Sequence, residues 1–375
     1  MSFGNICLAL LVFSVIIIFH EFGHFIVAKY NKIGVIEFSL GMGPRLISWG
    51  KTENGYKVFF FKSSAYFDEH PLEGNHTLYS WKLLPFGGSC MMLGEEDTSV
   101  EDERAFGKKS VYARMAVIFA GPFFNFVLAF LFAIIVIGTI GYDPAKVTEV
   151  TAGSSAAEAG LQSGDVITSI NDTKIVVNRE VSYYTVFHPF SSEPVTMTVN
   201  RQGQEKVLTM TPKETTVNGK KVYRCGFAYG APREKVGVLG TLRYSAYEVK
   251  FWISTTIQSL GQMITGKVSK DDISGPVGIV QTMGQTVNES SKEGAGTVVI
   301  NLLIISILLS ANLGVMNLIP VPALDGGRLL FLIVEWIRRK PLPQKFESYV
   351  NAGGFMLLMA LMVFIMANDV TKLFR

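Results

Sequence analysis

Four long runs with almost no charge dominate this chain, and the solvent that suits them is a lipid bilayer. They cover residues 1–28, 115–142, 294–324 and 348–368. Each has the roughly 20 residues needed to cross about 30 Å of hydrocarbon. In lipid every backbone N–H and C=O must be bonded within its own segment, so each run is predicted to be a helix. Composition agrees: 49% of the 375 residues are hydrophobic, 17% are charged, and the mean hydropathy is positive. A net charge of +3 gives no basis for a nucleic-acid partner. Cys7, Cys90 and Cys225 lie far apart with no Cys-x-x-Cys pair, which argues against a disulfide framework or a thiolate zinc site. The first run lacks a charged leading region and a small-residue cleavage site, so a span is expected there rather than a signal peptide.

Basic residues near the span ends set the expected orientation. Lys29 and Lys32, then Lys108, Lys109 and Arg114, then Arg338, Arg339 and Lys340 fall on one side if the spans alternate. Both termini and the long segment 143–293 are then outside, with 29–114 and 325–347 in the cytoplasm. Lys372 and Arg375 vote weakly the other way.

The first cytoplasmic loop reads as strands. "VIEFSLGMGPRLISWGKTENGYKVFFF" alternates in part, carries an Asn54-Gly55 hairpin signal, and has Gly41, Gly43 and Pro44 to bend it. A second strand-like piece, "LLPFGGSCMMLGE", holds Gly87 and Gly88, which permit close backbone approach or simply a bend. "EEDTSVEDERAF" reads as a solvated connection. Residues 146–231 form a compact mixed module with a Gln202-Gly203 turn between alternating strands. Residues 236–270 show the apolar spacing of an amphipathic helix, expected to lie at the membrane interface, though a soluble core helix would show similar spacing.

The chemistry lies in "FHEFGHF". Residues four apart on a helix face the same way, so His20 and His24 can share one metal ion, with Glu21 beside them as a proton carrier. An ionised side chain at mid-span costs about 2.5–3.5 kcal/mol, so three polar groups there need a purpose, hydrogen bonding between helices being the bland one. Val27 and Tyr30 stand where a metzincin needs Gly and His, which excludes that class. A catalytic zinc wants a third ligand. His70, His76 and His188 fall on aqueous loops. Asp325, in "NLIPVPALDGGRLLF", where Pro320 and Pro322 break the helix, is the better candidate, though an aspartate there could equally cap a following helix. In "AGPFFNFVLAF", Gly121-Pro122 loosens the second span, and Asn125 is either a polar contact for substrate or interhelical glue.

Taken together, these motifs resemble the site-2 proteases, intramembrane zinc metalloproteases, in the bacterial branch of the regulator of sigma-E protease. "HEFGH", "PFGGSCMMLGE", "AFGKKSVYARMAVIFAGPFFNF", "SGPVGIVQ" and "NLIPVPALDGGR" are similar to family segments in the same order. The resemblance implies His20, His24 and Asp325 as Zn2+ ligands, Glu21 as general base, and Asn125, Gly87 and Gly88 as substrate-binding. It maps a β-hairpin onto 34–62 and a substrate-pairing edge strand onto 84–93, and it makes 146–231 a PDZ-like domain. Ser89-Cys90 and an insertion at 63–78 depart from the family pattern.

The expected fold is therefore an α-helical polytopic membrane protein with four transmembrane helices, a membrane-associated β-hairpin loop and one inserted mixed α/β PDZ-like domain. Its segments are 1–30 (first span), 31–114 (cytoplasmic loop), 115–142 (second span), 146–231 (PDZ-like), 232–293 (amphipathic helix and connector), 294–330 (third span with the LDG motif), 331–347 (cytoplasmic loop) and 348–370 (fourth span). The expected activity is cleavage within or near the transmembrane segment of single-span membrane proteins, anti-sigma factors or remnant signal peptides, in a bacterial cell membrane. A non-proteolytic scaffold would not need Glu21. A membrane-anchored protease for soluble chains would carry its motif on an aqueous helix.

Overall fold

A computed structural model of the protein describes residues 3–73, 76–95, 100–217, 220–266 and 275–373. Parts of the acidic connection, of the 63–78 insertion and of the 236–270 stretch thus lie outside the described residues. The chain forms two compact units, Met1–Phe132 with Gly261–Arg375, and Ala133–Leu260.

In the first unit α1 (Phe3–Tyr30) leads into a sheet of β1 (Val35–Thr52), β2 (Gly55–Phe60) and β3 (Leu78–Met92), with a short α2 (Ser64–Glu69) between β2 and β3. β1 and β3 both bend and pair twice: Phe38 lies opposite Cys90 on one side and Tyr79 on the other. The sheet therefore runs β2, late β1, early β3, early β1, late β3. Gly41 (φ +85°) and Gly43 (φ +88°) turn β1, and Gly87 (φ +80°) turns β3, all in the left-handed region open to glycine. The expected separate strand at 84–93 is thus the second half of one bent strand, and among the described residues its outer edge pairs with no other strand.

One buried charge holds this sheet. The Glu37 side chain is 2% exposed, is bonded by Arg45 Nε and Nη2 at 2.8 Å each, and has Lys82 Nζ at 3.6 Å. Burial alone would raise its carboxyl pKa, but the bonds from Arg45 and Ser80 and the Lys82 charge outweigh it and hold it below the ordinary value. A depressed folded-state pKa stabilises at pH above the unfolded carboxylate value, and that contribution is lost as pH falls through the folded one. Glu37→Ala is expected to cost the sheet about 1.5–3 kcal/mol by removing the charged hydrogen bonds to the half-buried Arg45. In the wild type, amide exchange in β1 and β3, corrected for the intrinsic pH effect, should rise only below the ordinary carboxylate range. Flat protection in acid would refute the assignment.

α3 (Val111–Ile140) begins in this unit, and α7 (Pro276–Ser290), α8 (Ala295–Leu318), α9 (Asp325–Arg338) and α10 (Gln344–Leu373) complete it. Among the described residues α1, α3, α8 and α10 are the four helices long and apolar enough to span a bilayer. The third span differs from the sequence expectation. α8 stops at Leu318, because Pro320 and Pro322 cannot donate and their preceding residues are pushed towards extended backbone, as at Ile319 (ψ 136°). The LDG motif then opens its own helix, so the loop expected at 331–347 shrinks to 339–343. The connector expected up to 293 likewise contains α7, started by Pro276 at its first turn. Asp369 of α10 accepts the Gly275 and Gly278 amides at 3.0 Å each, satisfying donors that α7 has no capping side chain to meet.

The second unit holds β4 (Val147–Val150), α4 (Ser155–Glu158), β5 (Val166–Ile170), β6 (Thr173–Lys174), α5 (Asn178–Phe187), β7 (Val195–Arg201), β8 (Gln204–Met210), β9 (Lys213–Val217), β10 (Lys220–Arg224) and β11 (Phe227–Tyr229). A four-stranded sheet, β6-β5-β7-β8, and the pair β11-β4 enclose Val147, Ile167, Ile170, Val181, Met197 and Val199. Gln202 and Gly203 make the tight turn between β7 and β8 with φ of 53° and 87°. α6 (Val238–Ile264) packs Phe251 against Tyr183 of α5 at 5.0 Å, and its Glu248 is paired by Arg179 at 2.7 Å. Its buried face carries Thr241, Ser245, Glu248, Val249, Phe251 and Trp252, while Val238, Leu239, Leu242 and Ile257 are exposed.

Candidate metal centre

α1 places His20 and His24 one turn apart, each 7% exposed, with their Nε2 atoms 3.2 Å from one another. Asp325, at the first turn of α9, brings Oδ2 to 3.1 Å from His20 Nε2 and 3.5 Å from His24 Nε2. One ligand atom from each of the three residues falls within a span of 4.8 Å, and no other His, Cys, Asp or Glu among the described residues joins them. The cap position of α9 is Leu324, so Asp325 does not act as its cap.

Three donor atoms aimed at one point fit a cation better than they fit each other. Asp325 Oδ2 stands within ion-pair distance of both imidazoles, yet it is buried and meets no hydrogen-bond geometry. His24 Nδ1 lies 2.8 Å from the Val117 carbonyl. That carbonyl can only accept, so the proton sits on Nδ1 and the Nε2 lone pair is left free. Two imidazole nitrogens and one carboxylate oxygen, with no fourth protein group among the described residues, make the donor set of a catalytic zinc. The group fits these residues.

Glycines create the room. A Cβ on Gly121 of α3 would lie 2.3 Å from His24 Nε2, and one on Gly23 would lie 2.4 Å from the Ala120 carbonyl oxygen. α1 and α3 therefore cross at backbone contact. Gly326 and Gly327 do the same for α9, where a Cβ would sit 2.2 Å from Ile319 O and 2.4 Å from Val321 O. Arg328, one turn on from Asp325, pairs with Glu95, whose other oxygen is 3.4 Å from the Met92 amide at the end of β3. A cavity of about 820 Å³, lined by Glu95, Arg114, Arg328, Glu335 and Glu347 among others, opens beside that turn.

Late β3 touches the proposed proton carrier. The Cys90 amide donates to Glu21 Oε2 at 2.9 Å, and a Cβ on Gly88 would be 3.5 Å from Glu21 Cγ. Gly87 lies at the bend, against Met42. Asn125 is fully buried, with Nδ2 3.1 Å from His20 Nδ1. His70 stacks on Tyr66 and His188 on Tyr184, and neither joins the three ligand atoms. Sequence reasoning missed the Val117 carbonyl and the Cys90 amide, since backbone groups leave no residue signature. It read Gly121 as a kink, although a small residue opposite a motif helix also signals close approach.

The sequence profile of peptidase family M50 matches residues 8–71 and 70–361. A Clostridium acetobutylicum protein with a provisional zinc-metalloprotease name is 34% identical over 372 residues, covering 99% of this chain and 98% of that one. Zinc metalloprotease RasP of Geobacillus kaustophilus is 31% identical over 450 residues, covering 97% of each. The regulator of sigma-W protease RasP of Bacillus subtilis is 30% identical over 425 residues, covering 97% and 98%. A PDZ domain of an SdrC-like protein from Listeria monocytogenes covers 24% of this chain at 19% identity, with a TM-score of 0.20. Profile and relatives span nearly the whole chain: it belongs to peptidase family M50, the site-2 proteases, and is a membrane zinc metalloendopeptidase.

Proposed function

We propose that His20, His24 and Asp325 hold the zinc, that Glu21 moves the proton, and that the substrates are single-span membrane proteins cut within or near the bilayer. The observation that carries this reading is the convergence of three ligand atoms beside Glu21, on a helix apolar enough to span a membrane. Zinc, when bound, supplies a Lewis acid that polarises a carbonyl and acidifies a water. Glu21 takes the proton of the attacking water and returns it to the leaving amine. The outer edge of late β3, with Gly87 and Gly88, holds the peptide extended by main-chain hydrogen bonds, which a helical substrate must be unwound to make. Anti-sigma factors and remnant signal peptides are the substrate class, and the PDZ-like domain faces outward and screens the trimmed end of the substrate.

The test is reconstitution in proteoliposomes with a panel of single-span substrates. Cleavage should map inside or beside the transmembrane segment, stop on chelation and return with zinc. Products cut only in soluble regions would sink the intramembrane reading. Asp325→Ala should leave only a minor fraction of the wild-type zinc in purified protein. Unchanged metal by elemental analysis would remove that residue from the ligand set.

A further inference from the structure

The two imidazoles are held from α3 in different ways. His24 has a carbonyl for its Nδ1 proton; His20 has a side chain. If His20 Nε2 faces the metal, the neutral ring carries its proton on Nδ1, and a buried N–H there needs an acceptor. The side-chain group within hydrogen-bond distance is the Asn125 carboxamide, 3.1 Å away through Nδ2, while its Oδ1 is buried with no partner. Amide oxygen and nitrogen have almost the same shape, and the bonding network decides which is which. Turning the amide over puts Oδ1 against the Nδ1 proton, and the NH2 group takes the former place of Oδ1.

The surroundings hold the backbone that carries that amide. The backbone carbonyl of Asn125 accepts the Ser310 hydroxyl of α8 at 2.7 Å, and both residues are fully buried. Val117, Gly121 and Asn125 stand at intervals of four on α3, so they form one stripe. Its carbonyl meets His24, its gap houses the rings, and its amide meets His20.

We propose that Asn125 is a positioning residue of the metal centre: its Oδ1 accepts the Nδ1 proton of His20 and fixes the tautomer whose Nε2 faces the metal. This rests on the reading of His20 as a ligand. Outer partners of this kind are worth about 10- to 100-fold in metal affinity. A site in which Asn125 only touched substrate would bind zinc equally well without it.

The experiment uses the full-length protein in detergent. Zinc affinity is measured by chelator competition, and ligand geometry by the visible spectrum of the cobalt-substituted protein. Asn125→Leu keeps the branching and the number of heavy atoms and loses the acceptor; Asn125→Asp keeps the acceptor and loses the donor. Leucine should weaken zinc binding about 10- to 100-fold and alter the cobalt spectrum, while aspartate should bind near the wild-type level. Leucine binding as well as wild type overturns the inference. Aspartate binding as poorly as leucine overturns it too, because the amide would then be needed as a donor. Should wild type bind no better than His20→Ala, the ligand reading itself fails, and that result is separate from either of these. Apo-protein melting curves for the variants show whether each one folds.

Discussion

Gly121→Ala is expected to remove zinc and proteolysis together, although it adds a single methyl group and changes no polar atom. The new Cβ would stand 2.3 Å from His24 Nε2, 2.5 Å from its Cε1 and 2.8 Å from His20 Cε1. Ring atoms cannot approach a methyl so closely, so the rings or the helices must move. His24 is tied through Nδ1 to the Val117 carbonyl, and swinging it out forfeits that bond. Parting the helices instead loosens the contact at Gly23 and draws the Val117 carbonyl and the Asn125 amide away from the two rings, which frees both to turn. Either route displaces ligands on the scale of an ångström, and a misplacement of about 1 Å costs on the order of 10²-fold in rate. Zinc per chain and cleavage rate should both collapse. Gly138→Ala on the same helix is the control, since its Cβ meets nothing nearer than Thr241 Cγ2 at 3.9 Å. Full zinc in Gly121→Ala would show that the rings do not pack on α3 as described.

Much of this centre was legible beforehand because it obeys simple periodicities. Charge-poor length marks a span, four-residue spacing puts two histidines on one face, and an aspartate after two prolines marks a broken helix. What could not be read depends on pairing at a distance. Asp325 as cap or as ligand was undecidable locally; the position of Leu324 at the cap and the Asp325 contacts with α1 decide where its side chain goes. The prolines gave warning that the third span ends early, yet the apolar run through residue 324 hid the break, and α9 keeps apolar residues at helical spacing, which blurred the loop after it. The strand expected at 84–93 left out the first half of β3, whereas the left-handed Gly87 lets one strand from Leu78 bend and pair twice. The Glu37 ion pair lies eight residues from Arg45 and 45 from Lys82 in sequence, a spacing that carries no local signal.

Glu21→Gln should give the complementary result, full zinc with almost no turnover. Glutamine has nearly the shape of glutamate, so α1 keeps its packing and neither imidazole loses a partner. The Cys90 amide, which donates to Glu21 Oε2 at 2.9 Å, still finds a carbonyl oxygen on the amide side chain. What disappears is a group able to take a proton from the attacking water and return it to the leaving nitrogen. Positioned acid–base groups are worth about 10²–10⁴-fold, and cleavage of a single-span substrate should fall by at least that range. The same hydrogen bond bears on substrate binding: because late β3 already spends its Cys90 amide on Glu21, a pairing peptide must bond at neighbouring positions of that edge. Elemental analysis beside a cleavage assay separates the two variants, since Gly121→Ala loses metal and activity while Glu21→Gln loses activity alone. Turnover in Glu21→Gln near the wild-type rate would take the proton-carrying role from this residue. Loss of its zinc would instead mean that the carboxylate helps to hold the metal.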